Sequence, residues 1–211
     1  RKPLHLSPVE QASVVYSNAG NLIIPIVSAL LGQEWVVYTC AYICVQIVLQ
    51  WTHLKQLLSG ETHINIKKIL MNVNIIAILI GFVILAFGIK LPKLLQDAID
   101  SVGVMIGPAS MMMIGMMLAG MELKQIFENK RVWLISFLRL IIAPLLFIAF
   151  LRLTNFGASM SNADTILLIS LLASSSAAAA TITQMELIYG TDAEYACSIN
   201  VLTTLLCIIT M

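Results

Sequence analysis

Apolar residues along the chain gather into seven stretches, at about 12–31, 35–52, 69–88, 102–121, 132–151, 165–185 and 194–211. Polar breaks separate them: Gly32-Gln33-Glu34, residues 53–68, Lys90-Leu91-Pro92-Lys93, residues 122–131, residues 152–164 and Gly190-Thr191-Asp192. Each stretch predicts a transmembrane α-helix, the segment that satisfies its own backbone polar groups in lipid. The third, fourth and fifth stretches are the oilier ones. The first, second, sixth and seventh carry Ser, Thr, Asn and Gln inside the apolar run.

Composition supports this pattern. The 211 residues are 59% hydrophobic and 11% charged, with a mean hydropathy of +0.94. A soluble domain averages about 45–50% apolar and about 25% charged residues. A soluble globular protein, a nucleic-acid binder and a disordered tail are excluded, and the lipid bilayer is the expected surrounding. A net charge of +1 implies no acidic or basic partner. The four cysteines (Cys40, Cys44, Cys197, Cys207) lie in apolar runs and read as buried thiols. His5, His53 and His63 fall in polar connections without ligand spacing, so neither metal nor cofactor is expected.

Eight cations (Arg1, Lys2, Lys55, Lys67, Lys68, Lys124, Lys130, Arg131) fall on one side of the predicted spans and three (Lys90, Lys93, Arg152) on the other; Arg139 lies within a span. The first side is therefore expected to be cytoplasmic, in a multi-pass protein of the cell (inner) membrane. The chain starts at Arg1 and ends on apolar residues. It reads as a fragment cut at both ends, so the count of seven is no argument for a receptor.

A weak internal echo joins the polar spans. Ala29-Leu30-Leu31-Gly32-Gln33-Glu34 and Leu187-Ile188-Tyr189-Gly190-Thr191-Asp192 both run from apolar residues to Gly-x-acid, and each precedes a Tyr and a Cys. The predicted orientation sets the first pair of spans opposite to the last, as an inverted repeat requires. With five spans per unit, the first unit shows only its last two and the parent protein has ten.

The chemistry concentrates in two stretches. Tyr16-Ser17-Asn18-Ala19-Gly20-Asn21-Leu22-Ile23-Ile24-Pro25 puts two amides, a hydroxyl, a Gly and a Pro into ten residues. Pro25 frees a carbonyl near Asn21 and Gly20 weakens the helix at the same place. A break near Asn18 to Pro25, lining a cavity, is expected; a kinked helix is the alternative. The matching stretch, Ala173 to Gln184, is a run of small residues and hydroxyls suited to a close helix crossing. It has no Pro or Gly, so its unwinding is not predicted. Arg139 either reaches the cytoplasmic surface or faces an anion. Glu186, Asp192 and Glu194 read as a solvated cluster at the membrane edge. Gly103-x-x-x-Gly107 permits close contact with another scaffold helix or a second protomer. The seven methionines between Met105 and Met121 read as adaptable packing.

The Ser17-Asn18-x-Gly20-Asn21-x-x-x-Pro25 stretch resembles the bacterial branch of the auxin efflux carrier family, which includes malate and malonate permease-like proteins. Gly107-Pro108 followed by Gly115-Met116-Met117-Leu118-Ala119, the stretch from Arg139 to Pro144, and Tyr189-Gly190-x-Asp192 add to the resemblance, which covers the whole chain. It implies an all-α membrane protein with an inverted five-helix repeat and broken, crossing helices. It also implies movement of organic anions by a mobile transport domain against a rigid scaffold. On that scheme residues 1–68 hold the last two helices of the first repeat. Residues 69–121 supply scaffold helices of the second, and 122–211 its transport-domain helices. The family usually has a Pro in the second crossover, where this chain has Ala177.

The expected function is therefore a secondary transporter, not an enzyme, moving a small organic anion such as a dicarboxylate or auxin-like carboxylate by alternating access. Asn18, Gly20, Asn21, Pro25, Ser175, Ser176, Thr181 and Arg139 are the candidate substrate-binding residues. A homodimer through the scaffold helices is a further expectation. The alternatives are a sodium-coupled bile-acid-type carrier and a non-transporting membrane receptor. An enzyme would need a nucleophile–base pair or metal set at depth, where no His or carboxylate lies.

Overall fold

In a computed structural model, residues 6–60, 71, 73–120, 123–154, 162–190 and 192–211 are described. The first span is two helices, α1 (Pro8–Val15) and α2 (Ala19–Leu30). Ser7 starts α1 with a reciprocal cap: its side chain accepts from Glu10 N, while the Glu10 carboxylate accepts from Ser7 N. Helix α3 (Val36–Leu49) continues through a π-helical turn (Gln50–Leu54) into α4 (Lys55–Ser59). The second helix therefore runs beyond residue 52, and His53 lies on it rather than in a connection.

Next come α5 (Val73–Ala86), α6 (Lys93–Val104), α7 (Ile106–Ala119) and α8 (Leu123–Glu128). Helix α6 contains Lys93, Asp97 and Asp100, so helix begins well before the apolar stretch at 102. The chain breaks at Met105 between α6 and α7. Gly103 and Gly107 thus sit on two helices, not on the single face their spacing suggested.

Helix α9 (Lys130–Phe137) passes through a second π turn (Leu138–Ile142) into α10 (Ala143–Thr154). Together they form a 25-residue helix long and apolar enough to cross a membrane. The sixth span is again two helices, α11 (Ala163–Ser175) and α12 (Ala180–Tyr189). Helix α13 (Ala193–Thr210) is the second such helix among the described residues by length and hydropathy.

The two broken spans cross at their breaks. Ser17 and Ala178 form an isolated antiparallel bridge. Asn18 N donates to Ala177 O at 2.8 Å, and Ala179 N donates to Tyr16 O at 3.0 Å. Packing around the bridge is reciprocal. Helix α1 lies against α12 and α13, and α11 lies against α2 and α3. One apolar cluster joins Val9, Ala12 and Tyr16 to Ala179, Ile182, Ile199 and Leu202. Another joins Ala19, Ile23 and Val27 to Ile169 and Ala173. Swapping the two broken spans exchanges the clusters, which is the relation an inverted repeat produces.

The two breaks have different local causes. Tyr16-Ser17-Asn18 ends α1 with an aromatic and two residues whose side chains compete for backbone bonds. At the second break, serine hydroxyls supply the end. Ser174 and Ser175 Oγ donate to Leu171 O, and Ser176 Oγ donates to Ala173 O. They occupy carbonyls of the last turn without any Pro or Gly. The first break lies before Gly20, and Pro25 is exposed within α2, about 9 Å along the axis from its start. Pro25 therefore does not make the break.

Candidate functional site

Helices from both repeats hold the crossing by its main chain. Gln46 of α3 donates to Ser17 O and accepts from Ser17 Oγ at 2.7 Å, and Tyr42 Oη lies 3.3 Å from the same hydroxyl. On the other side, Asn200 of α13 donates to Ala178 O at 2.7 Å, and Thr203 Oγ1 accepts from Ala178 N at 3.1 Å. Both buried backbone segments thus find partners on the helix that follows them in their own repeat. These anchors were not singled out from sequence. The signal for them is a pair of amides, Gln46 and Asn200, within the membrane-spanning stretches.

Arg139 stands on the second π turn and is buried, 2% exposed. Its Nε donates to Ser176 O at 3.1 Å, and Nη1 donates to Val14 O at 2.7 Å and Val15 O at 3.2 Å. These carbonyls belong to the C-terminal ends of α11 and α1. The guanidinium therefore neither reaches the cytoplasmic surface nor lies free to face a ligand with its whole fork. It ties two helix C-termini together and balances their partial negative charge. Nη2 is buried and makes no hydrogen bond among the described residues.

The remaining candidates divide. Asn18 is buried, 6% exposed, and its Nδ2 has no partner among the described residues. Gly20 is exposed and Asn21 half-buried in the first turn of α2; Thr181 is half-buried in the first turn of α12. The backbone N–H groups of these first turns point out of the helix ends without intrahelical acceptors. Ser175 and Ser176 give their hydroxyl protons to their own helix, so they do not offer those donors to a ligand. Pro25 lies away from the crossing. The two stretches meet mainly through backbone, and among the described residues the buried Asn18 Nδ2 and Thr183 Oγ1 are left without hydrogen-bond partners.

Of the acidic cluster, Asp192 and Glu194 are exposed as expected, and one member differs. Glu186 is buried, 4% exposed. Its carboxylate accepts from Asp192 N at 3.1 Å and covers Gly190, where a Cβ would collide with it. Glu10, before the first apolar stretch, is buried too and receives Arg131 Nη1 at 2.9 Å and Tyr195 Oη at 2.8 Å. Burial pushes the Glu10 carboxyl up, but the Ser7 N–H, Tyr195 and Arg131 outweigh it and hold it below the usual value. Ser7, Glu10, Asn129, Arg131, Asp192 and Tyr195 line one cavity of about 360 Å³. Three chain segments predicted on the same membrane face therefore meet. Among the described residues, no cluster of three or more His, Cys, Asp or Glu could hold a metal. Cys197 and Cys207 are buried as expected, whereas Cys40 is exposed.

A family model described as membrane transport protein matches residues 2–211. The chain belongs to that family. The auxin efflux carrier resemblance of the Asn18–Pro25 motif agrees with this membership. No curated protein and no solved structure matches the chain. The molecule is thus an all-α membrane transporter.

A proline at the second crossover tests how the transporter builds this site. Ser176 is already extended (φ −68°, ψ 164°), the conformation that a following proline requires. Ala177→Pro gives up only the weak N–H contact to the Cys207 sulfur and is expected to change stability by about 1 kcal/mol or less. Ala179→Pro fits the local φ of −65° but removes the donor to Tyr16 O. It is expected to cost about 1–3 kcal/mol for the unpaired buried carbonyl. Thermal unfolding of the two variants in detergent checks the contrast.

Proposed function

We propose that this transporter carries a small organic anion, such as a mono- or dicarboxylate, bound at the crossing and exposed alternately to the two membrane faces. One observation carries the reading: Arg139 bonds the C-terminal carbonyls of both broken spans. With those negative ends balanced, the first-turn N–H groups of α2 and α12 and the unmatched Asn18 amide leave the crossing rich in donors. Helix N-termini and unmatched donors suit a carboxylate. On this proposal Asn18, Gly20, Asn21 and Thr181 stand nearest the anion. Arg139 completes the positive environment from behind, with Nη2 in reserve. Residues 1–68 and 122–211 move as the transport domain against 69–121, in keeping with the close packing of the first two segments around the bridge.

Counterflow in proteoliposomes of the full-length protein, with a panel of mono- and dicarboxylates in the cell-membrane orientation, tests the proposal. Saturable exchange of a carboxylate without sodium is expected. Strict dependence on sodium would favour the bile-acid-type alternative. Specific binding without exchange would favour a receptor.

A further inference from the structure

The first π turn brings a titratable ring into contact with the crossing. His53 Nδ1 lies 2.8 Å from Tyr16 Oη, and the same hydroxyl donates to Leu49 O at 3.1 Å. With the single Tyr16 proton given to the Leu49 carbonyl, which only accepts, the hydroxyl oxygen accepts from His53. The neutral ring is then the Nδ1–H tautomer, and the Nε2 lone pair is open. His53 is exposed. With Gln56, Leu57 and Gly60 it lines a cavity of about 350 Å³, which gives water access to the ring. Tyr16 leads the other way. Its side chain is buried, and its carbonyl accepts the crossing bond from Ala179 N.

We propose that His53 is a proton site coupled through Tyr16 to the anion site at the crossing. Nε2 takes a proton from water, Nδ1–H stays bonded to Tyr16, and no bond within the protein is broken. The ring gains one positive charge, so the carrier binds its anion more tightly when His53 is protonated, and a proton accompanies the anion. The other groups around the ring do not compete for this role. Lys55, two positions on, lies over the Tyr189 ring of α12 at 5.3 Å. On the helices packed against α4, Glu10 of α1 is bonded to Arg131 and Tyr195, and Glu186 of α12 accepts from Asp192 N. The inference rests on the anion reading above.

The test has two parts on the full-length protein in nanodiscs. Nitrogen-15 NMR of labelled histidine, with His53→Gln assigning the signal, reads the tautomer. Nδ1–H is expected at alkaline pH, shifting to Nε2–H in Tyr16→Phe, which lacks the accepting oxygen. Calorimetric binding of malonate then reads the coupling. Wild type is expected to bind about five- to fifteenfold more tightly at about pH 5 than at about pH 8, the size of effect a unit charge exerts through a partly wet interior. His53→Gln is expected to lose that gain. A wild-type Nε2–H tautomer unmoved by Tyr16→Phe overturns the proposal, and so does an equal pH gain in His53→Gln. Malonate bound equally at both pH values overturns this inference alone, and failure to bind malonate at any pH overturns it together with the anion site.

Discussion

Arg139→Ala is expected to destabilise the transporter more than any other single substitution at the crossing. Three carbonyls, of Val14, Val15 and Ser176, lose their side-chain donor at once. Each buried carbonyl left without a donor costs about 1–3 kcal/mol. Ser176 is buried and Val14 half-buried, whereas Val15 is exposed, so two carbonyls carry the cost and the total is about 2–6 kcal/mol, a large share of the ordinary stability of about 5–15 kcal/mol. Two helix C-termini would also face each other with their partial charges unbalanced. Arg139→Lys keeps the charge but not the fork, and one ammonium on a flexible stem does not span the C-terminal ends of both α1 and α11. It is expected to recover only part of the loss. Thermal unfolding in detergent of both variants against wild type measures the effect. An Arg139→Ala protein as stable as wild type would show that the guanidinium does not hold the crossing.

Asn18→Ala separates binding from folding. Its Nδ2 is buried without a partner, so the folded protein gains little from that donor in the absence of ligand. The backbone of Asn18, which donates to Ala177 O, is unaffected by the substitution. Stability is expected to stay within about 1 kcal/mol of wild type or to rise. Anion affinity is expected to fall by about 1.5–3 kcal/mol, the worth of a hydrogen bond to a charged acceptor, or roughly ten- to a hundredfold. Equilibrium binding of the carboxylate identified by counterflow, alongside a thermal melt, reads both quantities. Loss of stability with unchanged affinity would assign Asn18 to structure rather than to the anion.

Much of the architecture was legible because lipid enforces simple rules. Long apolar runs separated by polar breaks became helices, and the cation bias placed residues near 10, 131 and 192 on one face, where Glu10, Arg131 and Tyr195 are joined. The polar run at Ser17 to Asn21 marked the first break to within a few residues. Its position was misjudged because Pro25 is a helix breaker by local rule, yet an exposed proline inside α2 is tolerated here. The second break was hidden for the opposite reason. Alanine and serine are compatible with helix, and beyond the serine back-bonds at the end of α11, Ser176 to Ala179 are held extended by partners distant in sequence: Tyr16, Asn18, Asn200 and Thr203. Arg139 illustrates the same limit. A lone arginine in a span announces a function or a buried acceptor, and only the folded chain shows which carbonyls it meets.

The bonds that fix the crossing end almost entirely on main-chain atoms. Tyr16 O, Ala177 O, Ala178 O and Ala178 N are held through the main chain, and only Ser17 adds its own hydroxyl to the hold on its carbonyl. The residues at these positions are thus decoupled from the geometry they occupy. On the anion reading proposed above, cargo preference can drift through exchanges at the more accessible Gly20, Asn21 or Thr181 while the main-chain frame persists, which makes this crossing a natural starting frame for selecting carriers of new cargo.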